Sequence, residues 1–472
     1  MDNNTKSSYQ RDESFRDSIA TIDKKGKRNW IYPKQPFGKF YSARGVLSVI
    51  YLMVFFGLPF VKWKGDPLFL IDIVNRKFIL FGVIFWPQDF FIFMLGMLTF
   101  IVFIILFTVA FGRLFCGWAC PQTIFMEMVF RKIEYWIEGD FTQQKILNAQ
   151  SWTREKIVKK SSKTAAFFLV SFLIANTFLS YLMGVDNLFK MISEPLLDNI
   201  GTFISLLIFT FVFFFVYMYF REQICIIVCP YGRLQGVMLD KNSIVVAYDY
   251  VRGEPRGKMK KGAESANLGD CVDCHQCVKV CPTGIDIRNG TQLECINCTA
   301  CIDACDHMME TVNRPKGLIR YASENNISKK RKLTFTPRLM GYTLVLSLLI
   351  GILVLLLATR KDVSATIMRA QGMLYQVQPD NKISNLYNIK IINKTRKLIP
   401  VQLKLENMQG EISMIGKDIV LQGESIADSE FFVKVPKEKI TKHQTKIQIG
   451  IYSNGKKIQV VKTGFMGPFS FK

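Results

Sequence analysis

The sequence predicts a multi-domain membrane protein with an α-helical bundle, an inserted cysteine-rich domain and a C-terminal all-β domain. Three observations in the 472-residue chain lead to this prediction. Long apolar segments recur along the chain, eight cysteines crowd into residues 271–305, and apolar and polar residues alternate after residue 360. These patterns are typical of membrane helices, metal-binding loops and β-strands, respectively.

Five segments are long and apolar enough, or nearly so, to cross a bilayer. We predict spans at 45–61, 90–111, 164–185, 200–220 and 339–358. The first is the weakest of these predictions, because it is short and contains Pro59. The apolar run 78–86 is too short to span, so we expect it at the interface or in an extracytoplasmic hairpin.

The net charge of +23 is explained by topology. Lys and Arg concentrate before residue 44 and in 112–163, whereas 186–199 carries only Lys190. Because basic loops remain inside, we predict a bacterial inner-membrane protein with a cytoplasmic N-terminus and a cytoplasmic 221–338 segment. Five spans then place the C-terminus in the periplasm. Since the charges flank apolar spans, the lipid bilayer is a predicted partner and nucleic acid is not.

Eight of the twelve cysteines form two consecutive runs with the same spacing, C-x2-C-x2-C-x3-C. In bacterial ferredoxins with two [4Fe–4S] clusters, the fourth cysteine of each such run ligates the other cluster. We therefore predict two clusters. The ligands of the first are Cys271, Cys274, Cys277 and Cys305. The ligands of the second are Cys295, Cys298, Cys301 and Cys281.

Two alternatives to clusters fit the eight cysteines less well. C-x2-C pairs also bind zinc, but zinc needs only four thiolates and no third cysteine at this spacing. Disulfides are disfavoured for closely spaced thiols in a segment that faces the reducing cytosol. The chain departs from the motif at Asp306, where a proline is usual. We expect altered loop geometry there but no lost ligand.

The other four cysteines form a second repeat, F-x4-C-x3-C-P, which supplies Cys116 and Cys120 and then Cys225 and Cys229. Each copy follows a predicted span at its cytoplasmic end. Residues i and i+4 share a helix face, so each pair presents two sulfurs together. Three interpretations remain open: tight helix packing, a soft-metal site for Cu(I) or an iron–sulfur centre, and a redox dithiol. We predict metal or redox chemistry without choosing between them.

Histidine is scarce, which excludes one class of cofactor. The only histidines are His275, His307 and His443, and none lies in a predicted span. Bis-histidine haem in the bundle is therefore not expected. We expect His275 and His307, which lie close to cluster ligands in sequence, to form hydrogen bonds or face solvent.

The C-terminal region predicts an immunoglobulin-like sandwich. Period-two runs occur at 386–392, 401–405, 418–421, 431–435 and 446–452, and Ser453-Asn-Gly-Lys456 predicts a hairpin turn before 457–461. About 110 residues of short strands fit this class of fold. The region contains no cysteine and no catalytic constellation, so we interpret it as a partner-docking or spacer module.

The domain boundaries follow from these elements. We predict a cytoplasmic tail at 1–43 and a four-span bundle with both C-x3-C-P motifs at 44–235. A cytoplasmic segment follows at 236–337, with its ferredoxin core at about 265–315. The chain continues with a fifth membrane helix at 338–359 and a periplasmic immunoglobulin-like domain at 360–472.

Taken together, the chain from about Trp30 onward resembles the cytochrome c oxidase accessory protein family, known as FixG, RdxA or CcoG, a family of membrane-bound polyferredoxins. The resemblance rests on the cysteine runs and on several short motifs. These are Asp66-Pro-Leu-Phe-Leu-Ile-Asp, Arg76-Lys-Phe-Ile-Leu-Phe-Gly, Trp86-Pro-Gln-Asp, Cys116-Gly-Trp-Ala-Cys-Pro-Gln, Cys225-Ile-Ile-Val-Cys-Pro-Tyr-Gly-Arg and Gly372-Met-Leu-Tyr. The family is also similar to membrane subunits that pass electrons to periplasmic reductases.

The resemblance implies a role in building a cbb3-type oxidase, with Cu(II) reduced to Cu(I) as a substrate for its copper centre. It implies oxidase subunits or copper-handling assembly factors as partners, together with a cytoplasmic electron donor that the sequence does not name. Cys116, Cys120, Cys225 and Cys229 would then be copper or redox thiols. Two other functions stay open: a quinol-oxidising relay to a periplasmic reductase, and a non-redox assembly scaffold.

Overall fold

The computed structural model describes residues 20–23, 25–72, 77–86, 89–193, 200–258, 268–330, 336–360, 362–372, 374–395, 397–416, 419–423, 425–440 and 442–468. Residues 1–19 and Lys24 of the predicted tail 1–43 lie outside this set. Arg76, Pro87, Gln88 and Met373 of the motifs above also lie outside it. The chain forms two compact units, Met1–Leu353 and Val354–Lys472, and each is described by itself.

The five predicted spans are confirmed as helices. Five helices within the described residues are long and apolar enough to cross a membrane, and we number them membrane helices 1 to 5 in chain order. They are Lys39–Phe60, Phe90–Phe111, Arg154–Met183, Phe203–Phe220 and Pro337–Ala358. Most of their side chains are not buried inside the structure, as expected for helices surrounded by lipid.

Membrane helices 1 and 3 begin well before their predicted starts, and each has a polar cap. At the start of membrane helix 1, the backbone N–H groups of Phe40 and Tyr41 donate to the carboxylate of Asp303 at 3.1 and 2.8 Å. Membrane helix 3 begins ten residues early because the side chain of Thr153 accepts a hydrogen bond from Lys156 N–H. Such caps satisfy N–H groups that lack a partner within the helix.

Shorter helices connect the spans and cover the cysteine-rich domain. They are Leu114–Trp118, Pro121–Thr123, Arg131–Glu138, Phe141–Ala149, Val185–Ser193, Pro230–Met238, Tyr250–Gly253, Gln276–Lys279, Ala300–Thr311 and Glu324–Lys329. π-Helical turns occupy Ile124–Phe130, Val216–Phe220 and Ile224–Val228. Short 3-10 turns lie at Leu58–Phe60, Ile287–Asn289 and Lys437–Lys439. Pro121 and Pro230 each stand at a helix start.

The apolar run 78–86 forms a hairpin, one of the two arrangements expected for it. Strands Phe69–Asp72, Lys77–Leu80 and Val83–Phe85 form an antiparallel sheet. Phe81 and Gly82 make the turn, both with positive φ, the backbone that two-residue hairpins favour. A separate two-stranded pair joins Lys62–Trp63 to Asp66–Pro67.

The cysteine-rich domain is framed by one antiparallel strand pair, Val245–Tyr248 with Ile319–Ala322. Its apolar core combines strand residues with residues next to the cysteines. This core contains Val246, Tyr248, Ile285, Ile287, Ile302, Met309, Leu318 and Ile319, together with Cys271, Cys277 and Cys305. The cysteines are therefore held by packed loops on a small scaffold.

The second unit has the antiparallel sheets predicted for an immunoglobulin-like domain. One sheet has the strand order Glu411–Ile415, Ile426–Pro436, Lys382–Asn393 and Val363–Arg369, with Gln376–Val377 added to Lys382–Asn393. The other contains Gln402–Leu405, Gln444–Ser453 and Lys456–Met466, and Ile399–Pro400 pairs with Val420–Leu421. Inward-facing Ile, Val and Phe side chains from both sheets form one core. The predicted hairpin is confirmed, with Asn454 and Gly455 at positive φ.

Candidate metal centres

The first cavity lies between the two cysteine runs. Its lining includes four thiols, those of Cys271, Cys274, Cys277 and Cys305. The empty space measures about 340 Å³. The fourth cysteine of the second run thus joins three cysteines of the first run.

The second cavity has the complementary set of thiols. It is lined by Cys281, Cys295, Cys298 and Cys301, with Cys277 also on its surface. Its empty space is likewise about 340 Å³. Apart from Cys277, which lines both cavities, each cavity joins cysteines of one run to the fourth cysteine of the other run, the grouping that crossed ligation would use.

The two runs share one backbone conformation. Asp273 and His275 have φ values of 53° and 55°, and their counterparts Asn297 and Thr299 have 54° and 67°. Asp and Asn adopt this left-handed region more readily than most residues. Two left-handed residues in each C-x2-C-x2-C loop curve the chain around its cavity.

The residues present fit an iron–sulfur cube better than a single zinc ion. Zinc draws its ligands to within about 2.3 Å of one point, but no three Cys, His, Asp or Glu side chains in the described residues converge in that way. The thiols instead surround a cavity. Burial raises the pKa of Cys298 to about 11 and the pKa values of Cys295 and Cys305 to about 12. A metal centre that binds these thiols would therefore displace protons from them.

The departure at Asp306 changes the helix but leaves Cys305 at the first cavity. After the first run, Pro282 follows a short helix that ends at Lys279. After the second run, helix Ala300–Thr311 continues through Asp306, where a proline would disrupt it. The Asp306 carboxylate accepts a hydrogen bond from Gly317 N–H at 2.8 Å. The expected change in local geometry is therefore a longer helix.

His275 and His307 make local contacts. The Nδ1 atom of His275 lies 2.8 Å from Arg288 Nη2, and its side chain is half exposed at the edge of the first cavity. The His307 ring packs edge-on against Phe37 with centroids 4.9 Å apart.

The structure brings the other four cysteines together, and we call them the membrane-edge thiols: Cys116, Cys120, Cys225 and Cys229. Burial, followed by the charges of Cys120, Cys116 and Cys229, raises the pKa of Cys225 to about 12. Burial also raises the pKa of Cys116 to about 11, although Arg113 opposes the effect. The ends of membrane helices 2 and 4 therefore meet, and four thiols share one electrostatic environment.

The local backbone around the membrane-edge thiols is less regular than predicted. Cys116 lies in helix Leu114–Trp118, and Cys120 follows the end of that helix. Cys225 lies in a π-helical turn, and Cys229 caps the next helix by accepting a hydrogen bond from Gly232 N–H at 3.4 Å. The spacing of four thus does not correspond to one continuous α-helical face in either copy.

Two of the membrane-edge thiols pack together with cysteines that line the second cavity. Cys116 and Cys225 pack in one apolar cluster with Cys298 and Cys301. A side chain at Gly117 would place its Cβ 2.5 Å from the carbonyl oxygen of Ile296, so only glycine permits this backbone approach. The glycine after the first cysteine of the motif was the sequence feature that could have indicated this contact.

Sequence reasoning missed a buried charge network beside this region. Glu134 accepts two hydrogen bonds from Arg221, at 2.8 and 2.7 Å, and lies 3.6 Å from Arg131 and 3.4 Å from Lys163. Arg131, Glu134 and Glu138 recur every three or four residues and so share one helix face, the pattern that could have revealed the network.

Five membrane helices together with two four-thiol cavities define a membrane-bound protein of the iron–sulfur, electron-transfer type. Residues 220–324 match the family described as "4Fe-4S dicluster domain", and residues 93–142 match "4Fe-4S binding domain". Residues 353–468 match a family described by its "IG-like fold at C-terminal of FixG".

Similar proteins place the chain in one family. It is 32% identical over 466 residues to nitrogen fixation protein FixG of Rhizobium meliloti, with 87% of each chain covered. It is 35% identical to protein RdxB and 34% identical to protein RdxA of Cereibacter sphaeroides, covering 78% of this chain and 80% of either relative. The chain belongs to the FixG/RdxA family.

A solved FixG-related protein from Vibrio parahaemolyticus was also found. It is 19% identical with a TM-score of 0.21, and the match covers 23% of this chain and 100% of that structure. The family assignment does not depend on this match.

Proposed function

We propose that the protein is an inner-membrane iron–sulfur electron carrier that reduces Cu(II) to Cu(I) during assembly of a cbb3-type cytochrome c oxidase. The observation that carries the proposal is the contact between the second cavity and the membrane-edge thiols. Cys116 and Cys225 share one packed cluster with Cys298 and Cys301. Thiols suited to a soft metal thus lie beside a cavity suited to a redox cofactor.

The eight ferredoxin-type cysteines are the proposed cluster ligands. Cys271, Cys274, Cys277 and Cys305 would hold the first [4Fe–4S] cluster. Cys295, Cys298, Cys301 and Cys281 would hold the second. Such clusters supply one-electron transfer when bound. The protein contributes the packed loops that fix the thiols and the apolar residues that keep water from them.

Copper is the proposed substrate at the membrane-edge thiols. A low-potential donor in the cytoplasm would lose one electron, and that electron would convert Cu(II) to Cu(I). Thiolates bind Cu(I) well because both are soft. Burial of Cys116 and Cys225 favours their neutral forms, so copper binding would release protons from them.

A second role for the membrane-edge thiols is favoured by one observation. The match to a 4Fe-4S binding domain at residues 93–142 covers a segment whose only cysteines are Cys116 and Cys120. The four thiols could on this basis hold a third cluster in place of copper. Iron content separates the two roles, because a third cluster adds about four iron ions per chain.

The proposed topology follows from charge. Basic residues flank membrane helices 1 to 4 on the side of the cysteine-rich domain, so this side is assigned to the cytoplasm. Five spans then place the immunoglobulin-like unit in the periplasm. There it would dock oxidase subunits or copper-handling assembly factors, because neither its sequence nor its core suggests catalysis.

The proposal is tested by reduction of Cu(II), followed with a Cu(I) chelator in protein whose clusters have been reduced under anoxia. We expect Cys116→Ala/Cys120→Ala to abolish most of the reduction while keeping its ferredoxin-type clusters. Val228→Ala is the matched control, since Val228 lies between Cys225 and Cys229, is 56% exposed and leaves all four thiols in place. Equal rates in all three proteins would remove the membrane-edge thiols from the reaction.

A further inference from the structure

Two buried arginines flank the second cavity from separate parts of the chain. Arg44, in membrane helix 1, is 5% exposed and donates from Nη1 to the carbonyl oxygen of Cys298 at 3.1 Å. Arg113, just after membrane helix 2, is 3% exposed and donates to the carbonyl oxygen of Leu293. Arg113 also lines, together with Cys295, a cleft beside the cavity. Both positive charges therefore lie close to thiols of the second set.

Neither arginine is neutralised by a neighbouring acid. In the part of the chain that the structure describes, no carboxylate forms an ion pair with Arg44 or Arg113, and Arg113 Nε has no hydrogen-bond partner at all. Two acidic groups near the cavity are engaged elsewhere. Glu127 pairs with Arg131 at 3.1 Å, and Asp303 accepts the N–H groups that begin membrane helix 1.

The first cavity has the opposite balance. Its arginine, Arg288, is also buried but is paired with Asp273 at 2.5 Å and Asp286 at 2.6 Å. Asp306 adds a further carboxylate next to Cys305. Three carboxylates and Arg288 thus surround the first set of thiols, with Arg256 near two of those carboxylates and itself paired with Glu254. Two guanidinium groups without an ion pair flank the second set.

An unpaired buried cation is costly, so it needs an anion nearby. A cluster held by four thiolates is anionic and becomes more so when reduced. We infer that Arg44 and Arg113 are the counter-cations of the second cluster and hold its reduction potential above that of the first. This inference rests on the proposed ligand sets. Its consequence is that the transferred electron resides mainly in the site that contacts the membrane-edge thiols.

Burial acts in the other direction and must be weighed. Removing water from an anionic cluster disfavours its reduced form, and the second set of thiols is well buried. The same low dielectric strengthens the attraction to each nearby cation. Because neither cation is paired with a carboxylate, we expect their attraction to outweigh the loss of hydration.

The test is a redox titration of the full-length protein, with both clusters followed by paramagnetic resonance. Cys298→Ser and Cys274→Ser assign the signals, since each alters one ligand set. We expect the second cluster of the wild-type protein to be reduced at the higher potential. We further expect Arg44→Gln and Arg113→Gln to lower that potential alone, and Arg113→Lys to restore most of it. Arg233→Gln is the matched control, because Arg233 is exposed and its charge is screened.

Each outcome decides the question. A lower or equal potential at the second cluster in the wild-type protein overturns the inference, even if a variant fails to fold. If both signals are present and the potentials do not respond to Arg113→Gln, the inference about the arginines is overturned, while the proposed clusters remain supported. If neither signal appears, the ligand assignment is overturned as well. Failure of the proposed function can therefore be distinguished from failure of the inference about the arginines.

Discussion

The buried carboxylate of Glu134 offers the sharpest prediction on stability. It accepts two hydrogen bonds from Arg221 and lies within 4 Å of Arg131 and Lys163. Glu134→Gln keeps the size of the side chain and removes its charge. Three buried cations then lose the anion that they share, while Glu127, Glu138 and Glu222 still pair with them. The change is destabilising because the network loses one buried negative charge and its hydrogen bonds.

The magnitude follows from the pKa of Glu134. Burial alone would raise this pKa, but Arg221, Arg131 and Lys163 outweigh burial and lower it from 4.5 to about 2. The difference corresponds to about 3 kcal/mol of folding free energy at neutral pH. Because the folded-state pKa is depressed, this stabilisation is complete above about pH 4.5 and is lost as the pH falls toward 2.

The assay is thermal unfolding of detergent-solubilised protein, followed by tryptophan fluorescence between pH 4 and pH 8. At pH 7 we expect Glu134→Gln to lower the midpoint by on the order of 5 °C, and the difference from wild type to shrink below pH 4.5. Glu155→Gln is the control, since Glu155 is exposed, pairs only with Lys159 at 2.7 Å and should change little. Equal midpoints for wild type and Glu134→Gln at pH 7 would refute the reasoning.

Three further predictions concern backbone positions and a helix cap. Gly117→Ala should perturb the second cluster's paramagnetic signal, because its Cβ would meet the Ile296 carbonyl at 2.5 Å, whereas Gly96→Ala meets nothing within 4 Å and should leave the signal unchanged. Gly455→Val should lower the unfolding midpoint of the C-terminal unit in the full chain, since φ of 78° costs a β-branched residue at least ~1 kcal/mol. Asp303→Ala should destabilise the first unit by ~1 to 2 kcal/mol in the same assay, because membrane helix 1 loses its cap; unchanged midpoints would contradict both.

Patterns that are local in sequence predicted most of the architecture. Apolar runs identified the five membrane helices, and cysteine spacing gave the two sets of thiols that line the cavities. Period-two alternation identified the strands, and Asn454-Gly455 identified a hairpin. Each of these predictions depends on residues that lie close together in the chain.

Contacts between distant segments could not be predicted in the same way. Arg44 and Cys298 are 254 positions apart, and Arg221 and Glu134 are 87 apart. In sequence, Arg44 and Arg113 look like the flanking charges that orient membrane helices. Only the fold shows that both arginines are buried beside a thiol cavity. At that position their charge would affect redox chemistry as well as membrane topology.

The central claim is that two iron–sulfur cubes occupy the cavities of the cysteine-rich domain. Its most direct test is metal and sulfide analysis of full-length protein purified without oxygen, together with paramagnetic resonance after reduction. We predict about eight iron and about eight sulfide ions per chain and two reducible signals, or about twelve of each ion if the membrane-edge thiols hold a third cluster. Stoichiometric zinc without sulfide or any reducible signal would contradict the account.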